Sequence, residues 1–595
     1  MHPSLLFLSL TLLLPLAAAA PPPHLTRHRR IHADAPPQEH IEVARPLPIE
    51  SLDLSCELPI LSHAFGNTID LPPTNDTYYP PPDCAWTNAV LHLSGASNGS
   101  QYDRIAGVWL AGAEILRTST PEPTDDGIIW NVRKDVTRYS SLLRQSNITL
   151  SVMLENIVND VYTGVYNLNL TFYYYYNATA ADAVNPPLSI FPPNRRSIQV
   201  NESLDLNKNP ADLIIPISAT GEESFWFKIE KELDAVYHGV HIPLNTYRAV
   251  IEVYVSFHGD DEFWYSNPPD SYIETNNLTT KRGHGAYREV LIKLDNDVIG
   301  SVMPFPVIFT GGINPLLWEP VVSIGAFDLP SYEIELTPFL GILLDSKSHY
   351  FGLGVAEAIP FWLVDANLHL WLDYEVDRVQ AGPIKYSSPS TSVEREFKFN
   401  QLDGKFETEG ERESKFSGWV FTSAGNFTTY VTNKLEFENT IEYKSNGTEK
   451  KVEHEVEIKS NVQVKSDFGA TISALTVKRK HSLEFTTVNL PGSGERNYLV
   501  TTKLEQSMKE EKKVEENGSG EVLSKLDNKQ KANGWMFVRD HDVLSGSASL
   551  EQRYKVEDIF GCYTRRVLAD GGSIRTDMEN FICGTTAASG SIVVW

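Results

Sequence analysis

A period of two in the placement of apolar and charged residues constrains the fold of this chain more than any other feature. Between residues 451 and 464, valine, isoleucine and one histidine alternate with lysine, glutamate, asparagine and glutamine. This pattern puts apolar side chains on one face of a strand and charged ones on the other. The Asn446-Gly447 pair just before it predicts a tight hairpin turn. We therefore expect an antiparallel strand with one buried face.

Other stretches repeat this alternation and extend the prediction to most of the chain. Residues 167–172 alternate so that Asn169 falls on the solvated face, and residues 248–257 predict a strand with one buried face. Helical periodicity is scarce, and residues 504–516, rich in Glu and Lys, are the best candidate for a short helix or a solvated loop. We find no internal repeat. The predicted fold class is all-β, with jelly-roll or sandwich domains.

Breaks in composition divide the 595 residues, which are too many for one domain. Residues 180–197 are rich in proline, and residues 383–394 are polar, so both are predicted linkers. The predicted units are a first β jelly-roll domain at 46–180, a second at 186–385, and a C-terminal antiparallel β domain at 395–595. We expect the first two to form the catalytic unit and the third to pack against them.

The N-terminus predicts export. Residues 1–20 contain a leucine-rich apolar run followed by small residues, as in a secretory signal peptide. Residues 21–45 carry a basic cluster and are expected to be a flexible leader or a propeptide. No later stretch is long and apolar enough to cross a bilayer, so we expect a soluble protein, secreted to the exterior or cell wall, or vacuolar.

Cysteines and glycosylation sequons agree with export. The four cysteines form two close pairs, and proximity favours Cys56–Cys84 and Cys562–Cys583 among three possible connectivities. Ten N-x-S/T sequons without proline are predicted glycosylation sites; they are Asn75, Asn98, Asn147, Asn169, Asn177, Asn201, Asn277, Asn426, Asn446 and Asn517.

Charge and missing motifs exclude several function classes. A formal net charge of -26 argues against nucleic acid as a partner. The sequence has no HExxH zinc helix, no P-loop and no G-x-G-x-x-G fingerprint. We therefore expect no metal and no cofactor. Carboxylates near aromatic residues remain, a composition typical of sites that hydrolyse sugars.

Three segments carry such carboxylates. Asp103 lies in the segment directly before an apolar strand, and the adjacent Arg104 would lower its pKa and favour a base; on spacing alone, an aspartate that caps a turn is the plain alternative. Glu155 ends an alternating strand, where a solvated glutamate is the plain alternative. Residues 258–265 hold three carboxylates beside three aromatic rings, which suits acid–base chemistry and sugar stacking, or else a calcium or turn loop.

Two long strings, residues 300–340 and 361–373, resemble the peptide-N4-(N-acetyl-β-glucosaminyl)asparagine amidase A family, best known from plants. The resemblance implies hydrolysis of the amide that joins the first N-acetylglucosamine (GlcNAc) to asparagine, with an N-glycopeptide or glycoprotein as substrate. The glycan would leave as a glycosylamine and the asparagine would become aspartate. The resemblance also implies a precursor that is cleaved into two associated subunits.

A weaker resemblance links the carboxylate segments to the bacterial peptide:N-glycanases, which are built of two jelly rolls. The string Tyr102-Asp103-Arg104 matches their catalytic motif and implies that Asp103 is the main catalytic group. Later glutamates of that family fall on Glu155 and Glu262. The cysteines of the bacterial loop are absent around Glu262, and no aromatic residue follows Glu155. Substrate contacts are expected from Arg104, His258, Asp261, Trp264 and Arg288.

Two other functions fit a carboxylate site on a β scaffold. An endoglycosidase would cut a sugar–oxygen bond with a similar pair of carboxylates and leave one GlcNAc on the peptide. A non-catalytic glycan-binding β-sandwich protein would bind the glycopeptide and release nothing. The peptide product therefore distinguishes all three functions.

Overall fold

The structure is a computed structural model that describes residues 26–27, 36–177, 203–232, 234–382, 385–492, 494, 496–516, 519–540 and 542–582. Regular structure in this part of the chain is almost entirely β, as predicted. The α-helices are single short turns, namely α1 (Ser140–Leu143), α2 (Asp270–Thr275) and α3 (Leu340–Leu343). Turns of 3-10 helix lie at Pro48–Ser51, Thr137–Tyr139, Gly259–Asp261, Trp264–Ser266, Pro315–Trp318 and Thr337–Phe339. None of the described helices is long and apolar enough to span a bilayer.

The first sandwich consists of two sheets with a common apolar core. One sheet has the spatial order β2 (Gln38–His40), β8 (Ile128–Asp135), β5 (Asn88–Ser97), β10 (Tyr166–Tyr176) and β3 (Asp53–Phe65). The other has the order β4 (Thr74–Tyr78), β9 (Ile148–Leu154), β6 (Ile105–Leu110) and β7 (Ala113–Ser119). All pairs are antiparallel except β2 with β8.

The second sandwich follows in the chain. Its first sheet has the order β11 (Leu213–Ile217), β19 (Trp362–Leu372), β14 (Thr246–Phe257) and β17 (Ser331–Glu335), and β12 (Phe227–Ile229) also pairs with β19. Its second sheet has the order β13 (Ala235–His241), β18 (Ser348–Ala356), β15 (Glu289–Leu294) and β16 (Asp297–Val302).

The two sandwiches repeat one topology, a relation that sequence reading missed. The order β4-β9-β6-β7 corresponds to β13-β18-β15-β16, and β8-β5-β10-β3 corresponds to β17-β14-β19-β11. Even a local detail recurs, because the hydroxyls of Thr137 and Thr337 each accept a 3.1 Å hydrogen bond, from the backbone N–H groups of Ala89 and Ala249. Side chains have diverged around this shared backbone plan, so the repeat lacks an obvious sequence signal.

Antiparallel pairing decides which connections lie together. In the first sandwich the connections β5–β6, β7–β8 and β9–β10 must all lie at one end, whereas α1 lies at the other. The equivalent connections of the second sandwich are β14–β15, β16–β17 and β18–β19. Every predicted catalytic carboxylate belongs to one of these six connections.

The C-terminal part is a single large sheet of 13 strands. Its strands are β1 (Thr26–Arg27), β20 (Gln380–Ala381), β21 (Lys385–Ser387), β22 (Ser392–Asn400), β23 (Asp403–Thr422), β24 (Gly425–Lys444), β25 (Glu449–Ser466), β26 (Thr471–Pro491), β27 (Asn497–Glu516), β28 (Ser519–Arg539), β29 (Asp542–Asp558), β30 (Gly561–Asp570) and β31 (Ser573–Asn580). Neighbours from β23 to β31 pair in sequence order, so this part of the sheet is an antiparallel meander.

Most local predictions are confirmed and three are wrong. Strands β10, β14 and β25 lie where alternation placed them, and Asn446 and Gly447 form the turn before β25. Residues 504–516, predicted as a helix or loop, belong to β27. Leu504 and Gln506 are buried there and the charged Lys503 is exposed, which is a period of two.

The second wrong prediction concerns β14, which is buried on both faces rather than one. Its polar residues face the first sandwich. Glu252 accepts hydrogen bonds from Arg138 (2.9 Å) and Tyr139 (2.8 Å), and the hydroxyl of Ser256 accepts one from Arg117 (3.2 Å). A strand between two packed units needs no solvated face, so its polar side chains are paired internally.

The third concerns residues 36–45, predicted as part of a flexible leader or a propeptide, which the structure shows to be ordered rather than flexible. They belong to the fold, because β2 pairs with β8 and Ile41 forms a bridge with Val321. The Glu42 carboxylate accepts the backbone N–H groups of Gly325, Phe327 and Asp328 at 2.6, 2.8 and 3.1 Å. The predicted signal peptide, residues 1–20, lies outside the described residues.

The Cys56–Cys84 disulfide is formed, as predicted. Cys562 is also disulfide-bonded, and its predicted partner Cys583 lies outside the described residues. Sequon asparagines are exposed at Asn75, Asn98, Asn147, Asn169, Asn277 and Asn446 and partly exposed at Asn177 and Asn426. Asn201 and Asn517 lie outside the described part of the chain.

Buried polar contacts join the two sandwiches. Arg117 of β7 pairs with Glu114 at 2.7 Å, with both side chains fully buried, and donates to the backbone carbonyl of Leu363 at 2.6 Å. Trp109 of β6 donates its ring N–H to Asp365 at 2.7 Å. Because an unpaired buried polar group is costly, these bonds fix how the sandwiches face each other.

Candidate active site

Equivalent connections of the two sandwiches carry the two central carboxylates. Asp103 lies at the end of the β5–β6 connection, and Glu262 follows the 3-10 turn Gly259–Asp261 in the β14–β15 connection. The charge of Asp103 is among the causes that raise the pKa of Glu262, which places the two carboxyls within electrostatic range. Residues that are 159 positions apart in the chain are thus brought together by the repeated topology.

Burial dominates the protonation of Asp103. It raises the pKa of Asp103 to about 6, against the opposing charge of Arg104 and the backbone N–H of Gly311, which donates to Oδ1 at 3.1 Å. The sequence predicted a lowered pKa from Arg104 alone, and that prediction is wrong because adjacency in sequence says nothing of burial. Arg104 itself donates to Gln101 at 2.7 Å.

Glu262 keeps its proton to a higher pH than Asp103. Burial and then the charge of Asp103 raise the pKa of Glu262 to about 8, with Arg282 opposing the shift. Between about pH 6 and about pH 8, Asp103 is therefore ionised while Glu262 is protonated. One carboxyl can accept a proton while its neighbour can donate one.

Glu155 borders the same region. It directly follows β9, is partly buried, and has its pKa raised by burial. The backbone N–H of Asp70 and the charges of Lys228 and Arg104 oppose that shift. Arg104 therefore interacts electrostatically with both Asp103 and Glu155, which connects the third predicted carboxylate to the other two.

Two groups that the sequence did not single out complete this arrangement. A β-carbon built on Gly311 would lie 2.5 Å from Asp103 Oδ1 and 2.6 Å from Glu122 Oε1, so these oxygens are at most about 5 Å apart. Glu122 lies in the β7–β8 connection and Gly311 in its equivalent, β16–β17. No signal in the sequence points to this pair, because the equivalence of the two connections is visible only in the strand order of the two sandwiches.

Asp261 and Arg288 form a buried ion pair with each other. Arg288 Nε and Nη2 donate to the two oxygens of Asp261 at 2.7 and 2.8 Å, and its remaining N–H groups donate to backbone carbonyls. Asp261 also accepts the ring N–H of Trp362 at 2.7 Å. Both side chains are fully buried. The predicted substrate contacts of this pair are contradicted, because no donor of Arg288 is left for a ligand.

Trp264 and His258 are held by ring packing. Trp264 is fully buried and contacts the rings of Phe257, Trp362 and His454, so it has no open face for a sugar. The predicted stacking of Trp264 on substrate is therefore contradicted by its burial.

His258 lies between two aromatic rings, with centroids 5.6 Å from Phe309 and 5.3 Å from Phe361. Burial lowers the pKa of His258 to about 3, so the ring is neutral and bonds Ser256 at 2.8 Å. It supports the start of the loop that carries Glu262.

A partly exposed aromatic pair lies next to Asp103 instead. The rings of Tyr102 and Tyr162 are 5.3 Å apart, and both residues are partly exposed. The backbone carbonyl of Tyr102 accepts the hydroxyl of Tyr166 at 2.6 Å, which anchors the segment leading to Asp103. This pair has the exposed ring surface that Trp264 lacks.

Comparison with known proteins agrees with the resemblance. The sequence model of a family described as peptide N-acetyl-beta-D-glucosaminyl asparaginase amidase A matches residues 45–389, which include Asp103, Glu155 and Glu262. Peptide-N4-(N-acetyl-beta-glucosaminyl)asparagine amidase A from Prunus dulcis is 38% identical over 561 residues, which is 93% of this chain and 95% of that protein.

Two solved structures are similar to part of this chain. PNGase F, a glycosylasparaginase from Flavobacterium meningosepticum, is 14% identical with a TM-score of 0.34, covering 54% of this chain and 97% of its own. PNGF-II is 12% identical with a TM-score of 0.33, covering 53% of this chain and 66% of its own. On the family match and the extent of the Prunus relative, this chain belongs to the peptide N-acetyl-β-D-glucosaminyl asparaginase amidase A family.

Proposed function

We propose that this chain hydrolyses the amide between the first GlcNAc of an N-glycan and the asparagine side chain of a peptide or protein. The observation that carries the proposal is the pair Asp103 and Glu262, which hold opposite protonation states between about pH 6 and about pH 8. Amide hydrolysis needs a base for the water molecule and a hydrogen-bond donor for the developing oxyanion, and the pair supplies both. Membership of the amidase A family supports the choice of bond.

In the proposed reaction, ionised Asp103 takes a proton from a water molecule whose oxygen attacks the amide carbon. Glu262 and Arg104 stabilise the oxyanion that forms, as hydrogen-bond donors aimed at developing charge. The carbon–nitrogen bond then breaks while the proton passes from Asp103 to the departing nitrogen. The products are a glycosylamine and a peptide with aspartate in place of asparagine, so Asp103 returns to its ionised state.

The remaining groups position the substrate in this scheme. Glu155, with Lys228 nearby, contacts the polar groups of the sugar, and the Tyr102–Tyr162 pair provides ring surface for the substrate. The Gly311 N–H holds Asp103 from one side, and the Glu122 carboxylate lies nearby. Correct placement within about 0.5 Å matters because misplacement of reacting groups by about 1 Å can cost 10²-fold in rate.

Mass spectrometry of the peptide product tests the proposal. A denatured N-glycopeptide is incubated with the wild-type chain, with Asp103→Asn, and with Asp125→Asn, an exposed aspartate in the β7–β8 connection as a matched control. We expect a sugar-free peptide with aspartate from the wild type and the control only. A peptide that retains one GlcNAc would indicate an endoglycosidase, and an unchanged glycopeptide a binding protein. Full activity of Asp103→Asn would refute the assigned base.

We further propose that the chain is an exported glycoprotein, in the wall or in a vacuole, processed into two associated subunits. The signal-like residues 1–20, the Cys56–Cys84 disulfide and the exposed sequons support export. N-terminal sequencing and a denaturing gel of the protein from secreting plant cells test this. Two fragments are expected to copurify, and a single intact chain would refute the processing.

A further inference from the structure

The C-terminal sheet contacts the same second-sandwich connections that reach the active site. The β16–β17 connection, residues 303–330, carries Gly311 and then runs across β27 and β28. Its contacts there are specific hydrogen bonds from side chains of the sheet to the backbone of the connection. These bonds are made far in sequence from every carboxylate of the site.

Three buried glutamines of the sheet lie on one rung. Gln506 of β27 is paired with Gln530 of β28, and Gln530 with Gln552 of β29. All three are fully buried. Glutamine is seldom fully buried unless its amide is paired, so three at one rung indicate a dedicated polar contact. We call this set the glutamine rung.

Two members of the glutamine rung bond the Gly311 connection. Gln506 donates to the carbonyl of Pro306 at 3.0 Å and accepts the hydroxyl of Ser323 at 2.9 Å. Gln530 donates to the carbonyl of Val322 at 2.9 Å. The third, Gln552, has its bonds inside the sheet, to Gln530 and Asn528. The connection is thus fixed on both sides of Gly311.

The Glu262 connection is held by neighbouring strands of the same sheet. Asn439 of β24 donates to the carbonyl of Tyr265 at 2.8 Å, and Lys450 of β25 donates to the hydroxyl of Ser266 at 3.0 Å. Both side chains are buried. One rigid sheet therefore fixes the two connections whose relative position sets the distance from Glu262 to Asp103.

We propose that two residues of the C-terminal sheet, Gln506 and Gln530, are positioning residues for the amide hydrolysis proposed above. They hold the backbone of residues 306–322, so that the Gly311 N–H meets Asp103 Oδ1. Loss of these bonds lets the connection move, and the Asp103 carboxylate loses its fixed orientation. Chemistry is then slowed more than substrate binding, because Glu155 and the Tyr102–Tyr162 pair are untouched.

The test compares Gln506→Leu and Gln530→Leu with Gln552→Leu in the full chain. All three remove a buried amide from the same rung, but only the first two remove a bond to the connection. We expect kcat to fall about 10- to 100-fold in the first two, with KM within about twofold, and to change little in Gln552→Leu. Equal loss of kcat in all three variants would overturn the proposal.

Hydrogen exchange of residues 305–323, followed by mass spectrometry, separates this inference from the proposed function. Exchange in this segment should be faster in Gln506→Leu than in Gln552→Leu, whether or not the glycopeptide assay gives product. Unchanged exchange in Gln506→Leu would overturn the positioning role even in an active enzyme. A wild type that releases no glycan would instead refute the proposed function alone.

Discussion

Glu262→Gln should make the protein more stable near neutral pH while it removes activity. Burial raises the pKa of Glu262 from an ordinary 4.5 to about 8, so the folded state binds this proton more tightly than the unfolded chain does. The stability that this proton contributes is complete below about pH 4.5, and it is lost as pH rises to about 8. Glutamine does not ionise, so the variant does not lose this stability as the pH rises.

The size of the expected stabilisation follows from the shift in the pKa of Glu262. Each pH unit between about 4.5 and about 8 costs about 1.4 kcal/mol of unfolding free energy, which gives an upper limit of about 3 kcal/mol at about pH 7. Glu262 is partly exposed, and solvent screening reduces the effect to about 1–2 kcal/mol. For a unit the size of the second sandwich, 1 kcal/mol corresponds to about 2–4 °C in the melting temperature.

The assay is thermal unfolding of the wild type, Glu262→Gln and the exposed control Asp125→Asn across pH. We expect the midpoint of Glu262→Gln to equal that of the wild type near pH 4 and to exceed it increasingly toward pH 8. The control should follow the wild type throughout. A midpoint that stays equal or falls near pH 7 would show that ionisation of Glu262 does not destabilise the fold, and would refute its role as the protonated hydrogen-bond donor.

Four further predictions follow from the same site. Asp103→Asn should lower kcat by about 10³-fold with KM nearly unchanged, as steady-state kinetics will show. Gly311→Ala should lower kcat by about 100-fold, because its β-carbon would meet two carboxylate oxygens at 2.5 and 2.6 Å, and wild-type kinetics would contradict this contact. Glu122→Gln should move the acid limb of the pH–rate profile to lower pH, because removing a nearby negative charge lowers the pKa of Asp103. A shift of that limb to higher pH would contradict this prediction. Arg288→Met should destabilise the fold by about 3–5 kcal/mol, measured by denaturation, because Asp261 is left buried without its partner; a stable variant would contradict this.

The sequence predicted strands well because alternation is a local property. Residues 451–464 and 167–172 carry their pattern within a few positions, and the structure contains both strands. The prediction for residues 504–516 failed because Glu and Lys favour helices in isolation. Here, pairing with β26 and β28 makes this segment a strand. For β14, the prediction of one solvated face failed because a local pattern does not reveal that the first sandwich packs on the second face.

The site was predictable in part for a similar reason. Asp103, Glu155 and Glu262 could be proposed as site residues because they lie in connections near the ends of strands, where scaffolds hold functional groups. Burial, which raises the pKa of Asp103, could not be read from the adjacent Arg104. The Asp261–Arg288 pair could not be found either, since its partners are 27 residues apart in an irregular connection.

The pH dependence of kcat/KM for glycopeptide hydrolysis tests the central claim most directly, namely that Asp103 and Glu262 act as base and acid in one site. The wild type should give a bell-shaped profile of kcat/KM with limbs near pH 6 and pH 8. Glu262→Gln should lose the alkaline limb and most of the rate. A profile in which Glu262→Gln keeps both limbs at wild-type rates would contradict the pairing of these two carboxyls.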